Sequence, residues 1–133
     1  MIVDTDVLIW YSKGCQSAID LLHGFDRFSL SVVTYMEIVQ DVRNKQELNA
    51  FQKALGTLNV QVVQIDELIS TKAMFYVEQY ALSHSMELAD ALIGASAVIK
   101  QVPLVTGNEK HYNHLPEIKI QEFVVEATMG GSG

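Results

Sequence analysis

Three acidic residues of this 133-residue chain stand in apolar surroundings. Asp4 lies in Met-Ile-Val-Asp-Thr-Asp-Val-Leu-Ile-Trp-Tyr, Glu37 in Val-Val-Thr-Tyr-Met-Glu-Ile-Val, and Asp90 in Leu-Ala-Asp-Ala-Leu-Ile-Gly. A carboxylate at the boundary of a core must be hydrogen-bonded, paired or bound to a cation. Acids brought together repel, and their pKa values rise unless a positive charge neutralises them. With oxygen donors alone, the matching cation is a hard divalent ion, Mg2+ or Mn2+. Each acid also has a local alternative. Asp4 or Thr5 could cap a helix over 7–11. Thr34-x-x-Glu37 has the form of a capping box. Asp90 could be an N-cap or a first-turn acid favoured by the helix dipole. The remaining acids mostly lie in polar stretches and read as solvated.

The elements that must position these acids alternate between strand and helix. Ile2 and Val3 suit a short buried strand that ends at Asp4. Short helices are expected over 7–11 and 15–22, with His23-Gly24 as a stop. Phe28, Leu30 and Val32 alternate with Ser29 and Ser31, the pattern of a strand. A helix from Thr34 then carries Met36, Ile38, Val39 and Val42. A more polar helix over 45–55, with Leu48, Phe51, Ala54 and Leu55 on one face, is expected to end at Gly56. Val60, Val62 and Ile65 suggest a third strand. Asp66 is a good N-cap for a helix over 67–83 that buries Ile69, Ala73, Val77, Tyr80 and Ala81. Residues 88–99 form an almost continuously apolar helix, and 103–106 a buried strand opened by Pro103, where proline is tolerated. A loop or short helix over 108–114 follows, and Ile118, Ile120 and Phe123 make a last strand. This alternation predicts an α/β domain with a mainly parallel sheet of about five strands covered on both faces. In such a sheet strand ends and helix starts share one edge, so all three acids fall where ligands sit.

One domain, 1–126, accounts for the length. Residues 127–133 read as a disordered tail in which Gly130-Gly131-Ser132-Gly133 resembles an engineered linker, excluded from the fold. Nearly half the residues are apolar (49%), which argues against disorder of the rest. No run of about 18 apolar residues suggests a membrane span, and the start has no basic region typical of a secretory leader. Cys15 has no cysteine partner and reads as a reduced thiol. A cytoplasmic protein is expected. The formal charge is −7, and Arg27 and Arg43 are the only arginines. A protein gripping nucleic acid with its own basic surface would look different. A polyanionic substrate would have to be held by metal ions, by local basic patches or by a partner.

Four blocks together resemble the PIN domain, and within it the VapC-like toxins of bacterial toxin–antitoxin pairs. They are Val3-Asp4-Thr5-Asp6-Val7-Leu8-Ile9, Ser31-Val-Val-Thr34-Tyr-Met-Glu37-Ile, Leu88-Ala-Asp90-Ala-Leu-Ile-Gly-Ala-Ser-Ala and Leu104-Val-Thr106-Gly-Asn108-Glu-Lys-His-Tyr112. Their order and separation match, and the resemblance spans about 1–124. It implies a three-layer α/β/α PIN-like fold and a metal-dependent endoribonuclease that works as a homodimer and is inhibited by a cognate antitoxin. Carried over by position, Asp4 and Asp90 are direct ligands of Mg2+ or Mn2+, and Glu37 is a third acid binding directly or through water. Thr106 positions the site by hydrogen bonds. Asp6 stands where the family usually has Asn, and with Thr5 it supports the first block or joins the acidic cluster. Asn108 completes the expected catalytic set, but it stands where many members have a fourth acid, which would weaken a second metal. Tyr112 replaces the usual Phe, and His111 replaces an acid often found before it; His111 as a general base is a minor option.

The implied chemistry is hydrolysis of an RNA phosphodiester by a metal-polarised water that Glu37 holds or deprotonates. Lys13, Lys45, Lys110 and Arg43 are the available phosphate contacts. Trp10 and Tyr11 could stack a base, or serve a core or subunit interface. Two other readings stay open. One is a catalytically inactive PIN-like binding module acting through its partner, favoured by Asn108 and opposed by the three acids. The other is a haloacid-dehalogenase-like phosphatase, which also opens with Asp-x-Asp and uses the first Asp as nucleophile. Val7-Leu8 stands where that class usually has Gly-Thr, and its late Gly-Asp-x-x-x-Asp is missing.

Overall fold

The computed structural model describes residues 1–126. The chain runs β1 (Ile2–Val3), α1 (Thr5–Ser12), α2 (Gln16–His23), β2 (Phe28–Ser31), α3 (Val32–Asp41), α4 (Lys45–Thr57), β3 (Val60–Val63), α5 (Glu67–His84), α6 (Leu88–Lys100), β4 (Leu104–Thr106), a 3-10 turn (Glu109–His111) and β5 (Ile120–Glu122). The five strands form one sheet in the order β3-β2-β1-β4-β5, and every neighbouring pair is parallel. From β1 the chain winds outward through β2 and β3. It then crosses back to build β4 and β5 on the other side. The winding reverses between β1 and β4, and in an open parallel sheet a crevice opens at that point beyond the carboxyl ends of the strands.

β1 has two residues, and strand alternation sends them to opposite faces. Ile2 packs with Leu104, with Ile69, Ala73 and Tyr76 of α5, and with Ala91, Ile93, Ala95 and Ala97 of α6. Val3 packs with Val105, with Val7 and Leu8 of α1, Ala18 and Leu22 of α2, and Leu55 of α4. Two cores on two faces of one sheet make three layers, α/β/α, as the alternating pattern predicts.

Several boundaries differ from the sequence reading. α3 begins at Val32 rather than Thr34, because the Ser31 hydroxyl accepts the Val33 amide at 3.0 Å and serves as N-cap. Thr34 is therefore inside the first turn, fully buried, and the expected Thr34–Glu37 capping box does not form. α4 continues through Gly56 to Thr57. The buried face of α5 includes Tyr76 beside Ile69 and Ala73, while Val77, Tyr80 and Ala81 are half-buried. Ile65, Ile118 and Phe123 lie outside the strands but still pack on the cores. The expected tail, 127–133, lies outside the described residues.

Gly94 permits a close approach in the middle of α6. A Cβ there would stand 2.7 Å from Leu115 Cδ1 and 3.4 Å from Tyr112 Cδ1, and both neighbours are buried. Gly94→Ala should overpack this contact and destabilise the fold by about 1–3 kcal/mol. Urea unfolding measures this, and an unchanged midpoint would show that Leu115 repacks freely.

Candidate active site at the carboxyl edge of the sheet

Asp4 leaves β1 at the crevice. Its amide continues the β1–β4 ladder to the Val105 carbonyl at 2.9 Å. Its Oδ1 accepts the Thr5 amide at 2.8 Å as the N-cap of α1. Its Oδ2 accepts the Thr106 hydroxyl at 2.8 Å, across the switch point from β4. The capping role and the site role of Asp4 thus coexist, one on each oxygen. Asp4 is only 4% exposed. Burial, reinforced by the negative charges of Asp6 and Asp90, pushes its pKa from 3.8 up to about 6, against the pull of its hydrogen bonds.

Asp6 lies half a turn further along α1. Its Oδ2 accepts the Gly107 amide at 2.9 Å, while its buried Oδ1 has no partner. Burial raises its pKa. Gly107 is required for this approach: a Cβ there would stand 2.7 Å from Asp6 Oδ2 and 3.2 Å from the Phe123 carbonyl.

Glu37 is reached from the same helix start. Thr5 Oγ1 is 2.7 Å from Glu37 Oε1 and 2.9 Å from Thr34 Oγ1. A hydroxyl has one proton and an ionised carboxylate only accepts, so Thr5 donates to Glu37 and accepts from Thr34. Thr34 was assigned to capping from the sequence. It instead backs up Thr5, 29 residues away in the chain, a contact that no local sequence pattern signals.

Asp90 sits in the first turn of α6, after Glu87, which is the N-cap position but makes no side-chain cap. Its Oδ1 accepts the Tyr112 hydroxyl at 3.1 Å, and its Oδ2 lies 3.1 Å from His111 Nδ1. Burial raises its pKa, opposed first by His111 and Tyr112. Tyr112 is fully buried. Burial and the carboxylates of Asp4 and Asp90 on either side drive its phenol far above its ordinary pKa, so it stays a donor. No local sequence pattern assigns the Tyr112 hydroxyl a partner, because Asp90 lies 22 residues away.

The other expected residues fall into three groups. Thr106 is fully buried, donates to Asp4, and accepts the Asn108 amide at 2.9 Å. Asn108 therefore meets the site through its backbone, and its side chain is exposed. Lys110 is exposed near the site, whereas Arg43 is taken by Glu47 in a two-nitrogen contact of 2.7 and 2.9 Å. Trp10 lies towards the far end of α1, 40% exposed, with Lys13 Nζ 5.6 Å from its ring, and the Tyr11 hydroxyl pairs with His23.

The site is thus a crevice of oxygen donors at a topological switch point. Asp4 and Asp90 flank the Tyr112 hydroxyl, and Glu37 stands one hydroxyl away from the Asp4 cap. Among the described residues no group of three or more His, Cys, Asp or Glu side chains could hold an ion between them as they stand. The donor chemistry nevertheless fits a hard cation. Asp4, Asp6 and Asp90 all have raised pKa values, and the orphaned Asp6 oxygen is the kind of group a positive charge would satisfy.

The chain is thus a three-layer α/β protein with a parallel sheet and with acids, the buried Asp4 among them, gathered at its switch point. The PIN domain model matches residues 1–116, and the chain belongs to the PIN domain family. It is 30% identical over 127 residues to Ribonuclease VapC1 of Methanocaldococcus jannaschii, covering 92% of this chain and 86% of that protein. It is 28% identical over 123 residues to Ribonuclease VapC10 of Mycobacterium tuberculosis, covering 90% of each. In fold it matches a chain of a toxin–antitoxin complex from Klebsiella pneumoniae with a TM-score of 0.74 and 24% identity, over 88% of this chain and 93% of that one. The family sets aside the phosphatase reading.

The Asp4 shift has a consequence for stability. A carboxyl that binds its proton more tightly folded than unfolded favours the folded state fully below pH 4, and that contribution fades as pH rises through about 6. The shift from 3.8 to about 6 corresponds to about 3 kcal/mol. In EDTA, Asp4→Asn should therefore gain stability relative to the parent chain as pH rises from about 4 to about 6. Parallel thermal unfolding curves for the two proteins across that window would contradict the burial cost assigned to Asp4.

Proposed function

We propose that this protein is a metal-dependent endoribonuclease, the toxin of a toxin–antitoxin pair, that hydrolyses RNA phosphodiester bonds. The carrying observation is Asp4, a buried acid at the switch point with its pKa held up by its surroundings. A structural acid would be expected to sit in solvent or against a fixed cation. The relatives at 28–30% identity are ribonucleases by name, which supports the reaction class.

Asp4 and Asp90 would hold Mg2+ or Mn2+, with Glu37 as the third acid. When bound, the ion supplies a positive charge for the phosphate and lowers the pKa of water. Thr106 and the Thr5 amide fix both oxygens of Asp4. Thr34, through Thr5, fixes one oxygen of Glu37, and its other oxygen is left to orient or deprotonate a water at the crevice. Asp6 holds the loop after β4 to α1 through the Gly107 amide, and the Asn108 amide closes that loop on the Thr106 hydroxyl. The cation also offsets the repulsion between RNA and a chain of net charge −7.

The proposed protein partner is a cognate antitoxin; the structural likeness to a chain of a toxin–antitoxin complex supports it. An antitoxin arginine would suit the acids of the crevice, since a guanidinium matches a carboxylate with two parallel bonds. The proposed assembly is a homodimer. Leu68, Phe75 and Leu82 are exposed on α5 at seven-residue intervals. A two-fold axis at Phe75 would place Leu68 of each copy against Leu82 of the other and Lys72 across from Glu78, the self-complementary pattern a two-fold contact needs. Among the described residues no helix is long and apolar enough to cross a membrane. The proposed place of action is the cytoplasm, where RNA is met.

A catalytically inactive binding module is the second reading, favoured by the neutral, outward Asn108. The two readings part on cleavage. Purified protein incubated with RNA should cut it with Mg2+ or Mn2+ and stop with EDTA, and Asp4→Asn and Asp90→Asn should each lose at least about 100-fold in rate. Equal rates in parent and variants would reject the nuclease. In light scattering Phe75→Glu should run as a monomer at concentrations where the parent is a dimer.

A further inference from the structure

Residues 111 and 112 carry an arrangement that the acidic residues alone do not explain. β4 ends at Thr106, Gly107 turns on Asp6, and the 3-10 turn Glu109–His111 follows, closed by the Tyr112 amide on the Glu109 carbonyl at 3.0 Å. This short path delivers two consecutive side chains to one carboxylate. The Tyr112 hydroxyl takes Asp90 Oδ1 and His111 Nδ1 takes Asp90 Oδ2, each at 3.1 Å. The two prongs differ in setting. Tyr112 is fully buried, its ring lying against Gly94 of α6. His111 is half open to solvent, its side chain 54% exposed.

We propose that Tyr112 and His111 form a clamp that positions Asp90 opposite Asp4, so that the two carboxylates meet a divalent cation already oriented. They are positioning residues, acting through Asp90. The inference rests on the cation site proposed above. A carboxylate on a flexible bond must give up its freedom when it binds an ion. A donor on each oxygen removes that freedom in advance and leaves each oxygen a second lone pair facing the crevice. Tyr112 suits the buried prong because its fully buried ring fixes the hydroxyl that donates to Asp90 Oδ1. Phe at this position would fill the same space and supply no donor.

The test is calorimetric titration of the full chain with Mn2+ at pH 7, with thermal unfolding in EDTA as the check on folding. The parent should bind Mn2+. Tyr112→Phe should bind about 10-fold more weakly at an unfolding temperature close to the parent's. His111→Ala alters only an exposed ring, so it reports even if the Tyr112 variant does not fold, and it should weaken binding in the same direction. Parent-like Mn2+ affinity in either folded variant overturns the clamp while leaving the cation site standing. A parent chain that takes up no Mn2+ overturns the cation site and the clamp with it.

Discussion

The proposed function needs Asp4 charged, the fold buries it, and those two demands pull against each other. The end of β1 lies beneath α1 and beside β4, so water reaches almost none of it. Desolvation then favours the neutral acid, and the nearby Asp6 and Asp90 add to that preference. What opposes it is a small set of donors: the Thr106 hydroxyl on one oxygen and the Thr5 amide on the other. They lower the cost of the charge without removing it. The unmet part is what the proposed cation would offset.

The fold supplies these donors because of where the winding reverses. β1 is central, with β2 on one side and β4 on the other. Asp4 and Thr106 are 102 residues apart in the chain and adjacent only because β4 returns beside β1. The helix starts after β1 and β2 deliver Thr5 and Thr34 to the same edge, and the start of α6 delivers Asp90. Two glycines make room at the two tightest points. Gly107 lets Asp6 reach the backbone beyond β4, and Gly94 lets Tyr112 lie against α6. The site is thus tied to both cores. The Val3–Val105 face carries the elements around Asp4 and Asp6, and the Ile2–Leu104 face carries those around Asp90 and Tyr112.

Much of this was legible in the residues. Alternating strand and helix patterns gave the layers, and apolar neighbours singled out Asp4, Glu37 and Asp90 from sixteen acids. The limits were just as physical. Ser31 and Thr34 are both good helix caps, and only the end of the β2–β3 pairing at Ser31 chooses between them. That choice changes the meaning of Glu37, from an acid serving its own helix to one bound to Thr5. Tyr80 and Tyr76 both lie near the apolar stripe of α5, and which one is buried depends on how α6 and the 112–118 loop pack over it. The orphaned Asp6 oxygen and the contacts of His111 and Tyr112 belong to no local pattern. They arise where segments far apart in sequence meet, so composition and spacing are silent about them.

The departures from the family pattern gain a common sense once the contacts are known. The resemblance implies an acid at 108, often an acid at 111 and Phe at 112, and this chain has Asn108, His111 and Tyr112. The first removes a negative charge from the loop after β4. The other two turn an acceptor and an inert ring into donors, and both donors reach Asp90. Every one of these changes moves the crevice from repulsion between acids towards acids held by neutral or positive neighbours. A site with fewer charges repels itself less before an ion arrives, and each remaining carboxylate is better oriented. The cost falls on any second cation, which loses the ligand that a fourth acid would give. Under the proposed function, the same balance would leave Asp4 and Asp90 as the principal holders of a cation.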